Sequence, residues 1–168
     1  MTKLECLGDL NDYFDVTEGA VIAKGGEFLR SIEDAVLAIL PINKIENSTE
    51  RASHAATEAL CEVNSRLDAT NARRESDAEA SIVFGAGLHV GEVLYGNIGV
   101  PERVEFSVIG VATNEAARIE PLTNKLSRHV LANRAFVDLH PDLWHSVCLH
   151  ALWGLGEGVE LFAFGGDV

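Results

Sequence analysis

A chain of 168 residues, 47% hydrophobic and 23% charged, is one globular domain's worth and long enough to bury a core. Its 13 Lys and Arg against 26 Asp and Glu give a formal charge of −13, which argues against a generic binder of nucleic-acid backbone, since that needs a basic face. No apolar run approaches about 20 residues and the N-terminus does not read as a signal peptide, so a soluble, cytoplasmic chain without a membrane segment is expected.

In chain order, Leu4, Leu7, Leu10, Phe14 and Ile22 recur at helical spacing over residues 3–23, and Gly25-Gly26 ends that helix. Two short β-type runs follow, 27–32 and 35–40, separated only by Glu33-Asp34. This is a tight-hairpin signal without the usual glycine, and Pro41 closes it. A second helix is predicted from residue 47 to about residue 74, capped by Ser48 or Thr49, with Ala52, Ala56, Ala59, Leu60, Val63 and Leu67 in its apolar stripe. The polar stretch 71–79 reads as a mobile loop. Cys6, Cys61 and Cys148 are isolated, so reduced thiols are the simplest account and a zinc site is not expected.

Residues 81–89 and 92–98 are strand-like and are joined at Val90-Gly91. Gly85, Gly87, Gly91, Gly96 and Gly99 punctuate them, and glycines in a strand pattern suggest bulges, bends or close backbone approach. After a turn at Pro101 a third run covers 103–109, Gly110 ends it, and a helix is predicted over 112–126. A short strand at 129–131, a short helix at 134–139 and a hairpin of 144–152 with 158–164 close the chain. Helices recurring between strand pairs favour an α+β sandwich, a single domain over 1–168 with an antiparallel-rich mixed sheet. The chain opens directly on a helix, whereas a ferredoxin-like β-α-β-β-α-β unit wants a strand first.

Asn114 and Arg118, four residues apart, share one face of the 112–126 helix. A carboxamide and a guanidinium projecting together just beyond a strand can grip a sugar and a phosphate, and they can equally be an ordinary solvated face. Spacing alone leaves both open. His89, between two apolar residues, reads as a structural histidine.

Four stretches carry a family resemblance: LNDYFD at 10–15, GGEFLRSIEDAVLAILP at 25–41, GLHVGEVLYGNIGVPERVEFSVIG at 87–110 and NEAARIE at 114–120. In this order and spacing they resemble the catalytic domain of class III adenylate/guanylate cyclases, in its bacterial branch, over roughly residues 7–164. The resemblance implies a ferredoxin-like nucleotide cyclase fold acting as a head-to-tail homodimer or heterodimer, with its sites at the dimer interface. It implies that the ribose 3′-oxygen of ATP attacks the α-phosphate with the help of two divalent ions, Mg²⁺ or Mn²⁺, giving 3′,5′-cyclic AMP and pyrophosphate.

Position by position, the resemblance puts a metal-binding aspartate at Asp34 in the hairpin turn. Asn114 falls where the ribose is oriented, and Arg118 where charge on the α-phosphate is stabilised. Arg30 and Ser107 fall at the two positions that read the base, and Ser107 fits the bacterial adenylate-cyclase variant. By themselves these residues also have ordinary readings: a turn-capping Asp34, a surface strand charge at Arg30, a plain strand hydroxyl at Ser107.

The departures concern the metal half. The family's first metal-binding aspartate lies on a strand ahead of the first helix, in a motif like F-x-D-x-R-G-F-T, and this sequence begins inside the helical region, so the first strand is expected to be missing. Glu33 replaces a glycine in the metal turn, Ser31 an aromatic, and Trp153 stands where a base often helps hold the triphosphate. With one metal carboxylate absent from the sequence, little or no turnover is expected of this chain alone. The alternative is a catalytically degenerate module that dimerises, binds a nucleotide or completes a partner's site. A third possibility is a start at an internal Met of a longer cyclase.

Overall fold

The computed structural model describes residues 3–32, 35–42, 48–100, 103–151 and 158–165, and these fall into two units, Met1–Val83 and Phe84–Val168.

In the first unit, helix α1 (Lys3–Ala23) leads into strands β1 (Glu27–Ile32) and β2 (Ala35–Ile39), and helix α2 (Ser48–Ser76) follows. The Gly25-Gly26 stop works as expected. Gly25 has φ +79°, its N–H bonds to the Ile22 carbonyl, and the Gly26 N–H reaches back to the Val21 carbonyl, a left-handed cap that satisfies the helix's last carbonyls. β1 and β2 pair antiparallel from Glu27↔Ile39 to Ile32↔Ala35, with a bulge between Phe28 and Arg30 that leaves Leu29 as the extra residue. The core is built from small and branched side chains, Val16 and Ala20 of α1 with Ala56, Ala59, Val63 and Leu67 of α2, and Leu29 is buried on β1.

The stretch 71–79, expected as a mobile loop, is tied down by helix and ion pairs. α2 runs on through it to Ser76, and the side chain of Arg74 is only 4% exposed. Its guanidinium binds Asp9 at 2.6 Å, Asp12 at 3.3 Å and Glu79 at 3.2 Å, and it donates to the Ala80 carbonyl at 2.8 Å. The hydrogen bond to Asp9 raises the pKa of Arg74, against the opposing effect of burial. Asn71 adds a two-way amide bond to the backbone of Ile82, at 2.9 and 2.8 Å. Polarity misled the sequence reading because these polar groups are spent on one another rather than on water. Arg74→Ala takes the buried guanidinium from Asp9, Asp12 and Glu79, of which Asp12 keeps its ion pair with Arg73, so calorimetry should find the melting temperature lowered by about 5 °C or more.

In the second unit a four-stranded sheet runs in the order β3-β6-β8-β7: β3 (Ala86–Leu88), β6 (Val130–Asn133), β8 (Gly158–Phe164) and β7 (Trp144–Ala151). β3 and β6 are parallel and the other pairs antiparallel. β4 (Leu94–Val100) and β5 (Arg103–Ile109) form a separate antiparallel hairpin. The runs 81–89 and 92–98 are therefore not partners of each other. Only Ala86–Leu88 of the first is strand, and it pairs with Val130–Asn133, whose four residues are all buried.

The predicted 112–126 helix is two, α3 (Val111–Ile119) and α4 (Leu122–Leu126), divided at Pro121, which lacks the N–H a continuous helix would need. α5 (Arg134–Val137) and a 3-10 turn (Pro141–Leu143) follow β6. The core joins Ile119, Leu131, Leu161 and Ala163, and beside it Trp144 packs edge-on against Phe136 and tilted against Phe164.

On the outer side of this sheet Arg134 binds Glu160 at 2.6 Å, and Glu160 also accepts from Ser146 at 3.0 Å. The Arg134 bond first, then the Ser146 bond, lowers the pKa of Glu160 below its ordinary 4.5. A depressed carboxylate stabilises the fold above the unfolded-state pKa, and that contribution fades as pH falls through the folded value. Both side chains are partly exposed, so the effect is small. Thermal melts between about pH 5 and about pH 3 should show a shallower decline in melting temperature for Glu160→Gln than for the unmodified protein.

Candidate functional site

Helix α3 follows β5 directly, with Gly110 as its N-cap. Ala112 and Ile119 are buried on its inner side, while Asn114, Ala117 and Arg118 are exposed on its outer side. Asn114 and Arg118 thus stand one turn apart on the same open face. Arg118 lies in the last turn, where the helix dipole favours a cation.

The helix can lie where it does because of glycines. A Cβ on Gly87 of β3 would sit 2.6 Å from the Glu120 nitrogen and 2.7 Å from the Ala116 oxygen, both backbone atoms. A Cβ on Gly110 would meet the Glu92 oxygen at 2.9 Å, and one on Gly91 the Ala112 Cβ at 2.8 Å. The close backbone approach suggested by the glycine pattern is real, and at Gly87 it is helix against strand.

Of the other residues singled out, Ser107 lies on β5 opposite Gly96 of β4, and Arg30 lies on β1 opposite Leu37. Only their backbones are described. Asp34, Glu33 and Trp153 lie outside the described residues. Asn114, Arg118 and Ser107 belong to the Phe84–Val168 unit, Arg30 and Asp34 to the other. Among the described residues no group of three His, Cys, Asp or Glu side chains could hold a metal ion.

Sequence reasoning missed Glu115, although it stands inside the NEAARIE stretch beside Asn114. Glu115 turns inward, 21% exposed, and its Oε2 lies 3.1 Å from Nδ1 of His89, itself 11% exposed. The amide nitrogen of Asn133 contacts the same ring nitrogen. His89 is structural, as expected, but its structure-making contact is with the helix that carries Asn114 and Arg118. The signal available was a histidine two residues past Gly87 together with a carboxylate next in sequence to Asn114.

No family model matches the chain. Among curated proteins it is 30% identical over 139 residues to adenylate cyclase 1 of Rhizobium meliloti, covering 83% of this chain and 20% of that protein. It is 30% identical over 137 residues to the adenylate cyclase of Anabaena cylindrica, covering 82% and 26%. Among solved structures, the adenylyl cyclase CyaB from P. aeruginosa superposes with a TM-score of 0.84 at 16% identity, over 100% of this chain and 86% of that one. The chain belongs to the class III nucleotide cyclase family.

The guanylyl cyclase Cya2 is similar in fold too, with TM-score 0.80, 21% identity, and coverage of 99% of this chain and 83% of that chain. The cyclase fold is thus common to neighbours named for either nucleotide, and base choice does not follow from it. The chain spans about a fifth to a quarter of the length of the two curated cyclases it matches. No helix among the described residues is long and apolar enough to cross a membrane.

Gly87→Ala is expected to destabilise the cyclase domain by about 2 kcal/mol or more, since backbone cannot yield to the new methyl. Gly96→Ala, with nothing within 4 Å of its Cβ, is expected to cost far less. Urea midpoints of the two variants check the contrast.

Proposed function

We propose that this domain binds ATP at a site to which α3 contributes Asn114 for the ribose and Arg118 for the α-phosphate, and that it serves cyclic AMP formation in cytoplasmic signalling. The exposed one-turn pairing of a carboxamide and a guanidinium on α3 carries the reading, in a chain of the cyclase family. In the reaction the ribose 3′-oxygen forms a bond to the α-phosphorus and loses its proton, while the bond to the pyrophosphate oxygen breaks. Charge grows on the α-phosphate oxygens, and the planar, permanently charged guanidinium of Arg118 can answer it with two parallel hydrogen bonds. Asn114 offers both a donor and an acceptor to ribose hydroxyls, fixing the sugar for attack.

Arg30 and Ser107 are proposed to read the base. The 30% identical relatives named adenylate cyclase support adenine. A divalent cation, Mg²⁺ or Mn²⁺, held at Asp34 would neutralise phosphate charge; the described residues do not by themselves make a cation cage, and the roles of Asn114 and Arg118 do not run through one. Leu94 and Ile109, cross-strand partners that are 79% and 59% exposed, and Val111 at 68%, support a dimer in which such apolar surface is covered.

The test is purified protein with ATP and Mn²⁺, read for binding and for cyclic AMP. ATP is expected to bind, and whatever turnover occurs should fall about 100-fold in Arg118→Ala with a much smaller change in affinity. A protein that neither binds ATP nor makes cyclic AMP, or one indifferent to Arg118→Ala, contradicts the proposal.

A further inference from the structure

The glycine contacts that seat α3 set its distance from β3 and leave its rotation less determined. Gly87 meets the helix through backbone atoms of Ala116 and Glu120, and Gly91 meets it through Ala112, a methyl group. Such surfaces are close but nearly featureless. α3 has only nine residues, of which Ala112 and Ile119 are buried on the inner face. Turning a helix by about 20° moves a side-chain tip at a radius of roughly 6 Å by about 2 Å. For groups that must meet a ribose and a phosphate, a displacement of that size matters. A directional contact is needed, and His89 with Glu115 supplies one.

We infer that His89 and Glu115 are a positioning pair that fixes the rotation of α3, and through it the direction in which Asn114 and Arg118 point; the inference rests on the nucleotide-binding reading of those two residues. Glu115 follows Asn114 in sequence and faces the other way, toward the strand layer, where its carboxylate meets Nδ1 of His89 at 3.1 Å. His89 follows directly after β3, so the imidazole is anchored to the sheet. Behind it, Asn133 ends β6 and caps α5: its Oδ1 accepts from the Phe136 N–H at 3.2 Å, which turns its amide nitrogen toward His89.

Asn133, buried at the α5 cap, and Glu115 of α3 thus both address the one ring nitrogen of His89. One ring nitrogen carries either a hydrogen or a lone pair, so it serves the carboxylate as donor or the amide as acceptor. A side chain able both to donate and to accept at position 115 suits either state of the ring. Glutamine is such a side chain, with nearly the same shape.

The test compares Glu115→Ala, Glu115→Gln, His89→Ala and the double variant His89→Ala/Glu115→Ala. Each is assayed for affinity toward an ATP analogue with a methylene between the α- and β-phosphorus, in the presence of Mn²⁺. Circular dichroism and thermal melts establish that each is folded. Glu115→Ala and His89→Ala are each expected to weaken binding about tenfold, Glu115→Gln to stay within about threefold of the unmodified protein, and the double variant to lose no more than either single one. If Glu115→Ala does not fold, His89→Ala against Glu115→Gln decides. Unchanged affinity in the folded alanine variants overturns the inference, and if Asn114→Ala/Arg118→Ala still weakens binding the nucleotide reading stands. A protein that does not bind the analogue at all removes both.

Discussion

The second unit depends on one steric constraint, the backbone-to-backbone approach of α3 to β3 at Gly87. There is no room for even a methyl group between the strand and the Ala116–Glu120 end of the helix. Dense packing of this kind fixes how close a short helix sits to its strand, because backbone atoms have no rotamers with which to relax. Ile119 of the same helix is wholly buried in the core cluster with Leu131 and Leu161. Together with the His89–Glu115 contact, it leaves a helix whose inner face is committed and whose outer face, bearing Asn114 and Arg118, is free to meet a ligand.

The first unit uses a different device. Its helices are joined through small side chains and then tied by Arg74 to carboxylates on α1 and beyond the end of α2. A chain carrying −13 must place its few cations with care, and a buried guanidinium serving Asp9, Asp12 and Glu79 relieves repulsion where acidic groups gather. Placing an arginine there also keeps the site residues and the stabilising cations separate. Arg118 stays exposed while Arg74 is consumed.

Much of the fold was legible in sequence because its signals are local. Helical periodicity over α1 and α2, the Gly25-Gly26 stop, and the hairpins β1–β2, β4–β5 and β7–β8 all arise from neighbours along the chain. The partner of β3 was not legible, since pairing with β6 depends on contacts across more than forty positions of sequence. The role of 71–79 was hidden for a related reason: the partners of Arg74 on α1 are about sixty residues away, and composition alone reads such charges as solvated. The helix face with Asn114 and Arg118 was readable from a four-residue spacing. The inward carboxylate between them was passed over, because its meaning lies in His89, which only the fold brings near.

The central claim is that the outer face of α3 is a ribose and phosphate contact. A crystal structure of the protein with a non-cyclisable ATP analogue and Mn²⁺ tests it most directly. The Arg118 guanidinium is expected within about 3 Å of an α-phosphate oxygen and the Asn114 carboxamide at the same range from the ribose. A bound nucleotide that leaves both side chains in solvent would contradict it.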